Sequence, residues 1–143
     1  PSSAASDVYK RQAMSKIKSI STVNAPAALG PYSQAIRAGG FIYISGQIPL
    51  VPETMEIVSS DFNKQVTQVF NNLKAIIEAS GVSISNTVKI NVYLKDLSNF
   101  QKVNSVMEEF FTEKPFPARA AVEVSRLPKD VDIEMDAVVF DDD

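Results

Sequence analysis

The spacing of apolar residues changes from a helical to a strand period between residues 61 and 95, and this change limits what the chain can fold into. In residues 61–80 the apolar side chains recur every three or four positions, and Gly81 supplies a C-terminal stop. From residue 88 onward the apolar residues alternate with mostly polar ones: Val88, Ile90, Val92 and Leu94. The sequence therefore predicts an amphipathic helix followed by a strand with one buried face.

Further segments predict an α+β fold. Residues 41–45 form a β-rich run after a pair of glycines, which predicts a strand. A second helix is predicted before Pro115 by apolar residues on one side: Phe100, Val103, Met107, Phe110 and Phe111. Residues 118–124 and 132–140 both alternate as strands do. We expect a mixed sheet with both helices on one face.

The last two predicted strands each bring a charged residue to one face of the sheet. In residues 118–124 we expect the even positions, all Ala or Val, to face the helices, which leaves Arg119 on the other side. The same argument for residues 132–140 leaves Glu134 on that side. With antiparallel pairing, Arg119 and Glu134 can lie close together. Val138 and Phe140 share their face, so we expect it to pack against other subunits.

The chain contains no His and no Cys, and this excludes several classes of chemistry. Nucleophilic sites that pair Ser or Cys with His, thiol redox chemistry, disulfides and zinc sites built on thiolate or imidazole ligands are all ruled out. An enzyme of this sequence must use carboxylates, Lys, Arg, Tyr, hydroxyls or the backbone. The net charge of -3 gives no electrostatic footprint for nucleic acid.

A length of 143 residues predicts one domain, which we expect to span residues 14–143. Residues 1–13 are rich in Ser and Ala and show no sustained period, so they are expected to be a disordered tail, either a cloning remnant or a processed targeting presequence. The acidic residues 141–143 are expected to be solvated. No apolar stretch approaches the roughly 20 residues of a spanning helix, so we expect a protein of the cytoplasm or mitochondrion, without a membrane partner.

Five separated segments resemble motifs of the RidA (YjgF-type) family, in the order in which that family has them. They are Asn-Ala-Pro-Ala-Ala-Leu-Gly-Pro-Tyr-Ser-Gln at 24–34, Ser-Gly-Gln-Ile-Pro at 45–49, Val-Tyr-Leu-Lys-Asp-Leu at 92–97, Phe-Pro-Ala-Arg-Ala-Ala-Val-Glu-Val at 116–124 and Arg-Leu-Pro-Lys-Asp at 126–130. The similarity spans about residues 17–140. It implies a chorismate-mutase-like α+β fold and a homotrimer whose sheets form a central barrel, with three clefts between subunits.

The resemblance also implies an activity. Better studied members of the family are 2-iminobutanoate/2-iminopropanoate deaminases. They hydrolyse the reactive enamine and imine products of pyridoxal-phosphate-dependent dehydratases that act on serine and threonine, and they release 2-oxo acids and ammonia. A small 2-imino acid is therefore the expected partner of this chain, and the resemblance implies that no cofactor or metal is needed.

Site residues follow from the resemblance position by position. The family's carboxylate-binding Arg falls on Arg119 and its acidic residue on Glu134. The other substrate-binding positions fall on Tyr32, Gly46, Asn104 and Ala121. Some family members have Cys where this chain has Ala121, so a thiol-dependent mechanism is excluded here. Any contribution of Ala121 must come from its backbone.

The chemistry of a 2-imino acid agrees with these roles. Its planar carboxylate suits the two parallel hydrogen bonds of a guanidinium group, which Arg119 offers. Water must add to the C=N carbon, and Glu134 can orient that water and accept its proton, an effect of about 10² to 10⁴ in rate. Gly46 has no side chain, so substrate could approach the backbone closely, and Tyr32 could wall the pocket.

Other interpretations stay open at this point. An Arg and a Glu on neighbouring strands are ordinarily a cross-strand salt bridge. Tyr32 after Gly30-Pro31 is compatible with turn packing, and Asn104 with a helix-surface or capping role. At the level of the whole protein, the alternatives are an endoribonuclease that inhibits translation and a non-catalytic small-molecule-binding or chaperone-like trimer.

Overall fold

A computed structural model describes residues 17–142, which form one six-stranded mixed sheet, two α-helices and short 3-10 turns. The strands are β1 (Lys18–Ile20), β2 (Ala35–Ala38), β3 (Phe41–Gln47), β4 (Thr87–Leu94), β5 (Ala118–Glu123) and β6 (Ile133–Phe140). The helices are α1 (Phe62–Ala79) and α2 (Phe100–Phe110). The strand order is β1-β2-β3-β6-β4-β5, and only the β4–β5 pair is parallel. The predicted α+β class with a mixed sheet is confirmed. The tail predicted at residues 1–13 lies outside the described residues.

Both helices cover the same face of the sheet, as predicted. Their buried apolar residues join those of the central strands in one core cluster, which includes Phe70, Leu73, Val103, Met107, Ile90, Ile133 and Met135. Phe70 of α1 stacks on Phe110 at a centroid distance of 5.0 Å and meets Phe111 edge-on at 6.0 Å. This aromatic group fixes α2 against α1.

Local signals explain where α1 begins and how it is oriented. The side chain of Asp61 caps the helix by accepting a hydrogen bond from the backbone N–H of Lys64 at 3.0 Å. Gln65 is buried, and its Oε1 accepts from the N–H of Asp132 at 2.9 Å. That bond ties α1 to the start of β6, the strand that contains Glu134.

The predicted pairing of the last two strands is wrong. β5 pairs in parallel with β4, which separates it from β6, and Arg119 lies beside Ile90 in the register. Ile90 is only 1% exposed beneath the helices, so Arg119 and Ala121 share the helix-covered face. The even positions of β5 face the other way. Arg119 and Glu134 of one chain therefore lie on opposite faces of the sheet.

Two smaller differences concern strand ends. The alternating pattern predicts a buried Val88, but the register shifts between Thr87 and Lys89 and leaves Val88 40% exposed. Asp141 was expected to be solvated, yet its carboxylate pairs with the Arg37 Nε at 2.8 Å and its side chain is only 8% exposed.

Within the described residues, no element covers the face of the sheet opposite the helices, which we call the open face. It presents Tyr43, Val122, Val138 and Phe140 among other residues. Phe41 and Phe140 meet there edge-on at 5.9 Å. Packing against other subunits stays a prediction. Neither α1 nor α2 is long and apolar enough to cross a membrane.

Candidate functional site

The predicted site residues fall into two groups on opposite faces of the sheet. The arginine cluster consists of Arg119 with Asn104, Met107 and Phe100 of α2. The glutamate cluster consists of Glu134 and Gly46, which are in contact, together with Tyr32, which lines a cavity that Gly46 also lines.

In the arginine cluster, α2 holds the guanidinium group of Arg119. Its Nη1 donates to Asn104 Oδ1 at 2.5 Å and lies 3.3 Å from Met107 Sδ. Its Cζ lies 4.5 Å from the centroid of the Phe100 ring, a cation–π contact. Nε and Nη2 of Arg119 make no further hydrogen bond to the residues of the described range. These two nitrogens can therefore receive a carboxylate.

The helical repeat explains how α2 forms this group. Residues four and three apart share one helix face, and Phe100, Asn104 and Met107 follow that spacing. Asn104 also donates from Nδ2 to Gln101 Oε1 at 3.3 Å, which favours its Oδ1 facing Arg119. Asn104 is half-buried in the middle of α2, so it is not a cap.

A cavity of about 460 Å³ opens beside the arginine cluster. Its lining is mixed in polarity and comes from α2 and the segment before β5: Gln101, Asn104, Ser105, Met107, Glu108, Phe116, Pro117 and Arg119. Ala121 lies two residues further along β5 on the same face, half-buried against the core. A ligand carboxylate in this cavity would reach the Arg119 guanidinium.

In the glutamate cluster, the Glu134 carboxylate lies directly over Gly46. A Cβ on Gly46 would come within 3.0 Å of Glu134 Cδ and closer still to Oε2. The sequence suggested that Gly46 leaves room for substrate, whereas in this chain the room is taken by Glu134. Burial, and then the negative charge of Asp136, raise the pKa of Glu134 above its ordinary value. The carboxylate is thus a stronger base than an exposed one.

Tyr32 lies beside a second cavity, of about 260 Å³, that Gly46 also lines. Two ring carbons of Tyr32 lie 3.6 Å from where a Cβ of Gly30 would be, and its N–H donates to the Gly30 carbonyl at 2.9 Å. This is the turn packing considered above. Tyr32 as a whole is still 53% exposed, so it is also available to a ligand.

A buried residue missed by the sequence analysis supports the Tyr32 loop. Gln34 accepts from the N–H of Thr22 at 2.7 Å and donates to the carbonyl of Pro26 at 2.8 Å. Because the amide oxygen and the amide nitrogen of this buried glutamine are both hydrogen-bonded, it fixes the loop that precedes β2. Its only sequence signal is its place at the end of the 24–34 motif.

The two clusters do not meet within one chain. Arg119 is on β5 beneath the helices, and Glu134 is on β6 on the open face. The cross-strand salt bridge considered above is therefore not formed in a single chain. A site containing both side chains needs a second chain. Within residues 17–142 no three acidic side chains come together as metal ligands would.

Comparisons with known proteins identify the class to which this fold and these motifs belong. The family model described as Endoribonuclease L-PSP matches residues 22–140. The chain is a member of the RidA (YjgF-type) family, and its fold is the chorismate-mutase-like fold of that family.

Individual relatives agree with this assignment. A RutC family protein of Pyrococcus horikoshii is 55% identical over 121 residues, 85% of this chain and 95% of that protein. The 2-iminobutanoate/2-iminopropanoate deaminase of Escherichia coli K12 is 51% identical over 123 residues, again 85% and 95% of the two chains. The crystal structure of Escherichia coli TdcF with bound serine superposes with a TM-score of 0.82 at 41% identity, covering 86% of this chain and 98% of that one.

Proposed function

We propose that this protein hydrolyses small 2-imino acids, such as 2-iminopropanoate and 2-iminobutanoate, to 2-oxo acids and ammonia. The observation that carries the proposal is the Arg119 guanidinium beside a cavity of about 460 Å³. It is held by α2 through Nη1, and among residues 17–142 its Nε and Nη2 have no hydrogen-bond partner. Relatives with about 50% sequence identity are named 2-iminobutanoate/2-iminopropanoate deaminase.

The proposed reaction needs one anchor and one base. Arg119 binds the substrate carboxylate by two hydrogen bonds and fixes the adjacent C=N carbon. The oxygen of a water molecule bonds to that carbon while Glu134 accepts one proton of the water. The nitrogen takes up the second electron pair of the C=N bond and receives that proton from Glu134, which gives a carbinolamine. The hydroxyl group then loses its proton to Glu134 and becomes the carbonyl group, while the C–N bond breaks and the nitrogen leaves as ammonia with the bonding pair and that proton. A positioned base contributes about 10² to 10⁴ in rate.

We further propose that each site is a cleft between two chains of a trimer. Arg119 comes from one chain and Glu134, with Gly46 and Tyr32, from the next, because one chain keeps them on opposite faces of its sheet. The apolar residues of the open face supply a surface for such assembly. The serine bound to TdcF supports a small amino-acid-like ligand for this fold.

The two other functions have less support. The name of the family model is that of an endoribonuclease. This chain, however, has no His for acid–base cleavage of RNA and a net charge of -3. A binding protein without catalysis would need Arg119 and its cavity but not a base, whereas the pKa of Glu134 is raised in the direction that suits a base.

The direct test generates 2-iminopropanoate from alanine with an amino-acid oxidase and follows its loss with and without this protein. We expect faster loss of the imine in proportion to protein concentration. A rate equal to that of the buffer, with ligand binding still measurable by calorimetry, would instead identify a binding protein. Incubation with labelled RNA under the same conditions tests the ribonuclease alternative.

A further inference from the structure

A polar group with no assigned role lies in the middle of the open face. The Asp136 carboxylate accepts two hydrogen bonds, one from Asn91 Nδ2 at 2.8 Å to Oδ1 and one from the Tyr93 hydroxyl at 3.0 Å to Oδ2. Both donors come from β4, where Asn91 lies directly beside Asp136 in the register. The carboxylate is therefore held in one orientation.

Asp136 is also the acidic neighbour of Glu134 within β6. The two residues are two positions apart, on the same face and about 6.6 Å apart along the strand. Tyr93 lies directly opposite Glu134 in the register, yet its hydroxyl bonds to Asp136. No donor among the described residues reaches the Glu134 carboxylate. Glu134 thus has a fixed negative charge beside it and no hydrogen bond that would offset that charge.

The pKa shifts agree with this geometry. Burial raises the pKa of Glu134 first, and the charge of Asp136 raises it further. The hydrogen bond to Asp136 is the main reason that the pKa of Tyr93 is raised, followed by burial. The phenol therefore keeps its proton and continues to hold Asp136 at neutral pH.

We propose that Asp136 is a positioning residue for the hydrolysis proposed above: fixed by Tyr93 and Asn91, its negative charge makes Glu134 a stronger acceptor for the proton of the attacking water. The inference rests on the proposed function. It goes beyond the proposed function by naming a residue that acts through Glu134.

Other charged groups around Glu134 are placed less favourably for this role. Asp132 lies just before β6, at the entrance to the strand. Beyond β4, Lys95 pairs with Asp130 at 3.5 Å, and Lys129 lines the cavity beside Gly46. Tyr43 of β3 lies opposite Val138, further along the face. In the proposed cleft Arg119 of a second chain also faces Glu134, with its charge balanced by the substrate carboxylate.

The test compares the parent protein with Asp136→Asn, which keeps the shape and removes the charge. The titration of the Glu134 carboxyl is followed by carbon-13 NMR, and kcat/KM for 2-iminopropanoate is measured against pH. We expect the Glu134 midpoint and the acid limb of the activity profile to move to lower pH together, because the carboxylate no longer has a like charge beside it. We also expect kcat to fall more than KM changes.

Matched variants separate charge from structure. Asp132→Asn removes a charge of the same sign, two residues before Glu134 in the chain. It should leave the Glu134 midpoint unchanged within error. Tyr93→Phe keeps the charge of Asp136, so the Glu134 midpoint should move less in this variant than in Asp136→Asn. Asp136→Ser repeats the test if Asp136→Asn does not fold, as judged by circular dichroism.

An unchanged Glu134 midpoint in a folded Asp136→Asn protein would overturn the inference, whatever the activity. A shifted midpoint without a shifted acid limb would overturn the role in catalysis. A parent protein that does not accelerate imine loss would reject the proposed function itself, and that result is obtained before any variant is made.

Discussion

Arg119 is held by α2 through one nitrogen and one face of its guanidinium group. Asn104 and Met107 contact Nη1, and the Phe100 ring lies under Cζ. This arrangement orients the side chain without using the pair of nitrogens that suits a carboxylate. At the scale of single residues, then, the carboxylate binding proposed for Arg119 depends on the orientation of its guanidinium group as much as on its charge.

Arg119→Lys keeps the positive charge but has one nitrogen in place of three. We expect kcat/KM for 2-iminopropanoate to fall by at least about tenfold, or about 1.4 kcal/mol, while circular dichroism stays that of the parent. Arg126→Lys is the matched control, because Arg126 lies exposed outside both clusters. Equal activity of parent and Arg119→Lys would make Arg119 a structural residue.

Glu134→Gln keeps the size of the side chain and removes the proton acceptor. We expect kcat to fall more than KM rises, and the acid limb of the pH profile to disappear. In the parent, activity should fall as the pH drops through the pKa of Glu134, because protonation removes the base. An acid limb that persists in Glu134→Gln would assign it to another group.

Gly46→Ala tests the contact between Gly46 and Glu134. The φ of Gly46 is compatible with Ala, so the added methyl group acts mainly by displacing the flexible end of Glu134. We expect little loss of thermal stability but a loss of kcat similar to that of Glu134→Gln. The double variant should be no worse than either single one, since both remove the same group. Additive losses would contradict this.

At the scale of elements, periodicity predicts the long segments and fails for short or alanine-rich ones. α1, α2, β4 and β6 have strong apolar patterns and were predicted with bounds close to those observed. β1 and β2, of three and four residues, have too few positions to show a period and form through pairing next to β3.

The face of β5 could not be obtained from local pattern. β5 has alanines on both faces, so the two faces differ little in hydrophobicity and the alternation does not show which face is buried. The direction is set by the parallel pairing with β4, a contact between segments distant in sequence. The motifs therefore supplied Arg119 and Glu134 as candidates, but only the sheet topology shows that they lie on opposite faces.

Asp61→Ala removes the side-chain cap of α1. We expect a loss of about 1 kcal/mol in the free energy of unfolding, because the N–H of Lys64 loses its acceptor. Thermal denaturation at constant protein concentration measures it. Asp61→Asn, which can still accept that hydrogen bond, should lie close to the parent. If both variants lose the same amount, charge and not capping is responsible.

At the scale of the whole molecule, the open face exposes large apolar side chains that include Val122, Tyr43 and Phe140. A face of this kind is typical of an interaction surface. Together with the separation of Arg119 and Glu134, it leads to a test of the shared site that needs no structure of the assembly.

Two inactive variants, Arg119→Ala and Glu134→Gln, should complement each other when they are unfolded together and refolded. In a cyclic trimer, each mixed assembly has one cleft with both native residues, so an equal mixture should regain about a quarter of the parent activity. Each variant refolded alone is the control. No recovery, in a mixture that light scattering shows to be trimeric, would contradict a cleft shared between chains.

The sheet separates Arg119 from Glu134 within one chain, and this separation has a consequence for when a newly made chain becomes active. A shared cleft makes the folded monomer inert toward imines, so hydrolysis would begin only as chains find one another. Its onset after synthesis, or after dilution, would then follow the law of mass action, with a steep dependence on protein concentration below the dissociation constant of the trimer.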